Sequence, residues 1–342
     1  MYIFLALLLL SFLVVVHEGG HFMAARICGI EVEEFSVGMG PALFQKAGSK
    51  GTVFSLRLFP IGGFCAFYDE NEDGDDPRGF RRQAVWKRFV TVIAGPLMNF
   101  IAAVLVIIIY LNCIGLQTSV PRVGMIEEIA ASQGLSVGDE IVSINGNKME
   151  NASQISNAIM ESNGETVKMS IKRGEQRVEL QLQPFYDEEY GRYRLGFTFD
   201  QERHRLSLMT SVTTSFSYNL DNGTLILKTL RDLIIHGEGI NEVTGPVGTI
   251  YVISEVTKQA GFDIFFELLA IISVNLGIMN LLPIPGLDGS RLLFLLVEGM
   301  RKKPIDAQIE SRIYLTGFIL LIGIMIIMTY KDIFSIINGL WG

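Results

Sequence analysis

A chain of 342 residues that is 49% hydrophobic and only 19% charged is too apolar for an ordinary soluble protein of its size, and points to a polytopic membrane protein in contact with a lipid bilayer. Its formal net charge of −8 argues against nucleic acid as a partner. The three cysteines, Cys28, Cys65 and Cys113, match no zinc knuckle or C-x-x-C spacing and imply no disulfide framework; they read as small apolar fillers.

The first predicted element is a membrane-length apolar helix over about 2–25. It lacks a basic residue ahead of the apolar run and a small-residue cleavage site, so it reads as a retained helix and not a signal peptide. Its second half carries His17-Glu18-Gly19-Gly20-His21. H-E-x-x-H on a helix sets two imidazoles one turn apart on one face, which suits two ligands of a zinc ion with the Glu as general base. Ionisable residues at membrane depth are costly and usually functional, so this placement points to hydrolysis inside or at the edge of a bilayer.

Three further spans are expected over about 89–116, 264–282 and 313–328. The loop after the first span carries Arg78, Arg81, Arg82, Lys87 and Arg88, and the last loop carries Arg301, Lys302 and Lys303. Both loops are therefore expected on the cytoplasmic side, with the termini and the long central segment outside. The acidic residues Asp69, Glu70, Glu72, Asp73, Asp75 and Asp76 read as a solvated part of the first loop.

The central segment, about 117–201, has the pattern of a small β-rich domain. Val167, Met169 and Ile171 alternate with polar residues, as do Val178, Leu180 and Leu182, and Arg173-Gly174-Glu175-Gln176 between them predicts a β-hairpin. Upstream, the run from Gly134-Leu135 through Gly138-Asp139 to Ile144-Asn145-Gly146 resembles that of bacterial PDZ domains, and 152–161 reads as the helix that follows it. Such a domain binds extended peptide by strand addition or takes a C-terminus.

The third span ends in Asn280-Leu281-Leu282-Pro283-Ile284-Pro285-Gly286-Leu287-Asp288-Gly289. Two prolines break a helix, which membrane depth tolerates only inside protein or beside a cavity. Taken alone, Asp288 is a loop residue at the membrane surface; taken with His17 and His21, it completes a three-ligand set with a fourth position left for water.

These motifs, with Phe35-Ser36-Val37-Gly38-Met39-Gly40-Pro41, Pro60-Ile61-Gly62-Gly63-Phe64, Ala94-Gly95-Pro96-Leu97-Met98-Asn99 and Thr244-Gly245-Pro246-Val247-Gly248, resemble in order the signatures of the site-2 protease family of intramembrane metalloproteases, in its bacterial branch with one PDZ domain. The resemblance implies an α-helical membrane protein with four transmembrane helices, a membrane-dipping β-hairpin and one inserted extracytoplasmic PDZ domain, in a bacterial cytoplasmic membrane. It implies a domain order of 1–116, the PDZ domain at 117–201, a connector at 202–261 and the last two spans at 262–342. His17, His21 and Asp288 match the Zn²⁺ ligands, Glu18 the general base and Asn280 a residue that holds substrate. Residues 53–59, bounded by Gly40 and Gly62-Gly63, match the membrane-dipping β-hairpin that pairs with unwound substrate. The implied partners are single-span membrane proteins, pre-cleaved by another protease; anti-sigma factors and signal-peptide remnants are family examples. Two positions depart from the pattern: Gly19 stands where Leu is frequent, and Ser290-Arg291 where Gly-His is frequent, leaving Arg291 to pair with a nearby carboxylate. Two readings from other classes are a zinc transporter, which needs neither Glu18 nor a PDZ domain, and a non-catalytic PDZ adaptor, which does not need the intact ligand set.

Overall fold

The computed structural model describes residues 1–49, 51–70, 76–188, 190–237, 239 and 243–339. The chain divides into two compact units: residues 1–110 with 208–342, and residues 111–207. Within the acidic run of the first loop, Glu72, Asp73 and Asp75 lie outside the described residues.

The first unit is built on helices α1 (Tyr2–Cys28) and α2 (Val85–Ile109), which pack side by side. Gly29, left-handed at φ 77°, ends α1 as its C-cap. Between the two helices lie β1 (Val32–Ala47) and β2 (Val53–Phe67). Each strand folds over on itself: residues 42–47 pair with 53–57, residues 53–56 lie beside 34–37, and 32–37 pair with 63–67. The result is a four-segment sheet with 42–47 and 63–67 at its edges. The bend in β1 falls at Gly38 (φ 84°), where a Cβ would sit 2.6 Å from the Phe59 carbonyl oxygen.

Past the second unit the chain returns as α5 (Leu208–His236), α6 (Pro246–Ala260), α7 (Asp263–Leu281), α8 (Asp288–Arg301) and α9 (Ala307–Ile337). Among the described residues four helices are long and apolar enough to cross a membrane: Tyr2–Cys28, Val85–Ile114, Asp263–Leu281 and Gln308–Ile337. They fall where the sequence placed its four spans. Helix α5 is an element that the sequence did not reveal; it packs against α2 and α7 and so belongs with the membrane helices. Helix α7 stops at Leu282, extended ahead of Pro283, and α8 starts with Asp288 in its first turn. Helix α9 is tied in at both ends. A Cβ on Gly317 would lie 2.1 Å from the Pro285 carbonyl oxygen, and buried Asp332 accepts the backbone N–H groups of Gly245 and Gly248 at 3.1 and 2.7 Å, capping α6.

The second unit contains β3 (Leu116–Ile126), α3 (Glu128–Ser132), β4 (Glu140–Ile144), β5 (Asn147–Lys148), α4 (Ala152–Glu161), β6 (Val167–Arg173), β7 (Gln176–Leu182), β8 (Phe185–Asp187), β9 (Arg192–Arg194) and β10 (Phe197–His204). Its sheet runs β10-β3-β4-β6-β7, with β5 beside β4. The β6–β7 hairpin turns at Gly174-Glu175, as the alternation predicts, and α4 has the expected bounds. Ile141, Ile155, Val167, Met169, Ile171 and Leu182 fill the core. Asp139 is buried at the Gly-Asp turn, where both its oxygens take Arg173 at 2.7 Å and one takes the Ser136 N–H at 2.8 Å.

Candidate active site

His17 and His21 face α2 from the buried side of α1. Their approach depends on two glycines. A Cβ on Gly20 would lie 2.3 Å from the Ala94 carbonyl oxygen, and a Cβ on Gly95 would lie 2.2 Å from His21 Nε2. Any larger side chain at either position would push the helices apart.

The prolines after α7 bring Asp288 back to the same point. His17 Nε2 is 3.1 Å and His21 Nε2 is 3.3 Å from Asp288 Oδ2, and the two Nε2 atoms are 3.3 Å apart. A tetrahedron with bonds of about 2.0–2.1 Å has edges of about 3.3 Å, so the three atoms have the spacing of three zinc ligands. Among the described residues this is the one group of three His, Cys, Asp or Glu side chains close enough to hold a metal ion. The tautomer fits as well. His21 Nδ1–H donates to the Thr91 carbonyl at 2.9 Å, which leaves Nε2 of the neutral ring as a bare lone pair. Asp288 Oδ2 is buried without a hydrogen-bond donor. Two lone pairs and an orphaned carboxylate oxygen converging on one point suit a bound cation.

Glu18 opens onto a polar cleft of about 270 Å³ with His17, His21, Asp288, Cys65 and Arg291 on its walls. The Cys65 backbone N–H reaches the Glu18 carboxylate. The Asn280 carboxamide lies 3.5 Å from His17 Nε2. All five residues singled out in the sequence therefore meet in one place.

Other features of the site were not legible in the sequence. Asn99, fully buried on α2, has its carboxamide 3.1 Å from His17 Nδ1. Its Oδ1 has no partner in that orientation; turned over, it accepts Nδ1–H and fixes Nε2 as the free nitrogen. The Ala94–Asn99 motif was visible as a pattern, but nothing in it names the histidine it meets 82 positions away. Glu70, expected in a solvated loop, is instead half-buried and ion-paired with Arg291 on the cleft wall. That pair supplies the carboxylate partner expected for Arg291. Cys65 lines the cleft and Cys113 is exposed, so of the three cysteines only Cys28 is a buried filler.

The segment expected to pair with substrate is only partly at a sheet edge. Residues 53–56 are flanked on both sides, by 42–47 and by 34–37. The edge that borders the cleft is 64–67, because the bend at Gly62 swings the end of β2 round to the far side of β1.

The sequence profile of peptidase family M50 matches residues 5–324. A protein of Nostoc sp. named as a candidate zinc metalloprotease is 31% identical over 345 residues, spanning 96% of this chain and 94% of its own length. Another so named, from Clostridium perfringens, is 33% identical over 339 residues, spanning 97% and 98%. A crystal structure of the PDZ domain of an SdrC-like protein from Listeria monocytogenes matches at 24% identity and a TM-score of 0.21, covering 24% of this chain and 85% of its own. Relatives of one kind thus run the length of the sequence, and the chain belongs to peptidase family M50, the zinc-dependent site-2 proteases.

Proposed function

We propose that this zinc metalloprotease cuts peptide bonds inside the membrane-spanning segments of single-span proteins, with His17, His21 and Asp288 as metal ligands and Glu18 as general base. The observation that carries the reading is the convergence at 3.1–3.3 Å, beside Glu18, of two imidazole nitrogens on α1, a helix of membrane-spanning length, and a carboxylate oxygen at the start of α8, just past the end of α7, another such helix. Zinc bound there supplies a Lewis acid and makes water acidic enough to give up a proton near neutral pH. Glu18, facing the cleft, takes that proton and returns it to the leaving amine. Asn99 and the Thr91 carbonyl hold the two rings in the ligating tautomer.

A transmembrane substrate hides its amides in helical hydrogen bonds, so it must be extended before it is cut. Residues 64–67 supply the replacement bonds once the Cys65 and Phe67 N–H groups let go of the Glu18 and Glu70 carboxylates, since this sheet edge borders the cleft and strand addition needs no particular substrate side chain. Asn280 holds the extended segment through its carboxamide. The β1–β2 sheet dips into the membrane beside the site. The loops rich in Arg and Lys set the orientation, with both termini and the inserted PDZ-type unit outside the cytoplasmic membrane of a bacterium. That unit excludes substrates still carrying a folded ectodomain, so cleavage follows shedding by another protease.

The test is the set of membrane proteins that accumulates in cells carrying Glu18→Gln. Single-span remnants without ectodomains are expected, and they disappear when the wild-type chain is restored. Accumulation of soluble proteins alone would overturn the reading. Deleting 117–201 behind a short linker should let unshed substrates be cut; a deletion protein that binds zinc yet cuts only shed ones would remove the filter.

A further inference from the structure

We propose that a groove between the start of α2 and the end of α8 is a binding site for an anionic phospholipid. Its apolar walls are Val85, Trp86 and Phe89 of α2 facing Leu295, Leu296 and Met300 of α8, around a cavity of about 790 Å³. That volume falls in the range of small-molecule sites. Helix α8, at 14 residues, is too short to span a bilayer and leaves a row of apolar side chains uncovered: Leu293, Leu296 and Met300. The groove lies where a membrane helix begins. There an exposed Trp86 has the setting of an interfacial tryptophan, apolar on one side and wet on the other.

Charge selects the occupant. Lys302 and Lys303 close the mouth of the groove, and among the described residues neither ammonium is paired with a carboxylate. Glu298 is the one acid on the lining, and it is ion-paired with buried Arg88. The first turn of α2 carries no acidic residue. The mouth is therefore net cationic above an apolar floor. A free anion would leave the floor wet, and a zwitterionic lipid would bring a cation up to two lysines. An acyl chain ending in an anionic phosphate satisfies both halves. Since α8 starts at Asp288, an occupied groove braces the far end of the helix that carries the third metal-ligand candidate. The lipid site does not depend on the proteolytic reading, and its test does not use activity.

The chain has two tryptophans, Trp86 and Trp341. In a Trp341→Phe protein reconstituted in phosphatidylcholine vesicles, Trp86 fluorescence reports directly on the groove. Brominated phosphatidylglycerol, added as a minor component, should quench it at a mole fraction on the order of tenfold below that needed with brominated phosphatidylcholine, since each lysine near the surface favours an anionic lipid several-fold. Lys302→Gln with Lys303→Gln should abolish that preference while the zinc content is unchanged. Equal quenching by the two lipids in the parent overturns the proposal, as does a preference that survives the double substitution. Quenching of the parent that dodecylphosphocholine relieves as well as phosphatidylglycerol would also overturn it, because the groove would then be a general apolar surface.

Discussion

The two units bury different chemistry. Among the described residues, the unit of 111–207 buries one charged side chain, Asp139, in a core otherwise made of Ile, Leu, Val, Met and Ala. The helical unit buries His17, His21, Thr91, Asn99, Arg88, Ser273 and Asp332. A domain folded in water is held by removing apolar area from solvent. Helices in lipid gain little that way, because the tails around them are as apolar as leucine. Close approach and polar contacts then decide which faces meet. Gly20 against Ala94, Gly95 against His21 and Ser273 on the Asn99 carbonyl at 2.8 Å are contacts of that kind. The candidate catalytic groups are thus made from the same buried polar contacts that specify the packing of the helices.

The difference is broken most sharply at Glu18. Glu18→Gln should lower peptide hydrolysis by about 10²–10⁴-fold, because the amide cannot take the water's proton. Zinc content and amide exchange in the 111–207 unit should stay as in the parent. Zinc loss in Glu18→Gln, measured by atomic absorption, would show that Glu18 helps hold the metal site and is not a base alone.

The converse experiment strikes the apolar core. Ile171 is fully buried on β6, so Ile171→Ala should destabilise the inserted unit by about 2–5 kcal/mol. Hydrogen exchange on the full-length protein should show faster opening of β4, β6 and β7. Zinc affinity should not move. A matching loss of zinc would mean that the two units do not hold their cores independently.

A smaller effect is expected at Asn99. Asn99→Ala removes the partner of His17 Nδ1 and should weaken zinc binding about 10–100-fold, read by competition with a chelating dye. Unchanged affinity would leave Asn99 as packing between α1 and α2.

These experiments follow the line between what the sequence disclosed and what it did not. His17, Glu18 and His21 were legible because a helix repeats every 3.6 residues, so three letters fix a geometry. Asp288 was legible because two prolines announced a break at membrane depth. The β6–β7 hairpin was legible because one side of the sheet is wet and the other dry, which stamps a period of two on the chain. Helix α5 was not, since its Ser211 and Ser215 are the buried residues and its apolar ones face outward, the reverse of an amphipathic helix in water. The position of the open sheet edge depended on a bend at Gly62, and a glycine announces a bend without saying which way the chain turns. Asn99 with His17, Arg88 with Glu298 and Glu70 with Arg291 join residues 82 to 221 positions apart, and no local pattern carries such a pairing.

The mildest test uses pH on Asp139, the one charge that the inserted unit buries among the described residues. Burial alone would raise the Asp139 carboxyl; the Arg173 fork and the Ser136 N–H more than offset that and hold it below the ordinary carboxylate value. In the unfolded chain Asp139 titrates near 3.9. The folded form therefore binds its proton less readily than the unfolded form. Its contribution to stability is complete above about pH 5 and is lost as the pH falls through the depressed folded value. Arg173 is partly exposed, so water screens the pair and the contribution is modest, about 1–2 kcal/mol. Asp139→Asn should cost about that much at neutral pH, since the amide turns an N–H toward one arm of the fork. It should also flatten the stability of this unit between about pH 5 and 3, where the parent declines. Exchange rates of β4 and β6 amides, corrected for intrinsic pH dependence, measure both effects. A parent whose stability is level across that range would show that the Arg173 pair is absent in solution, and the inserted unit would then be held by its apolar core alone.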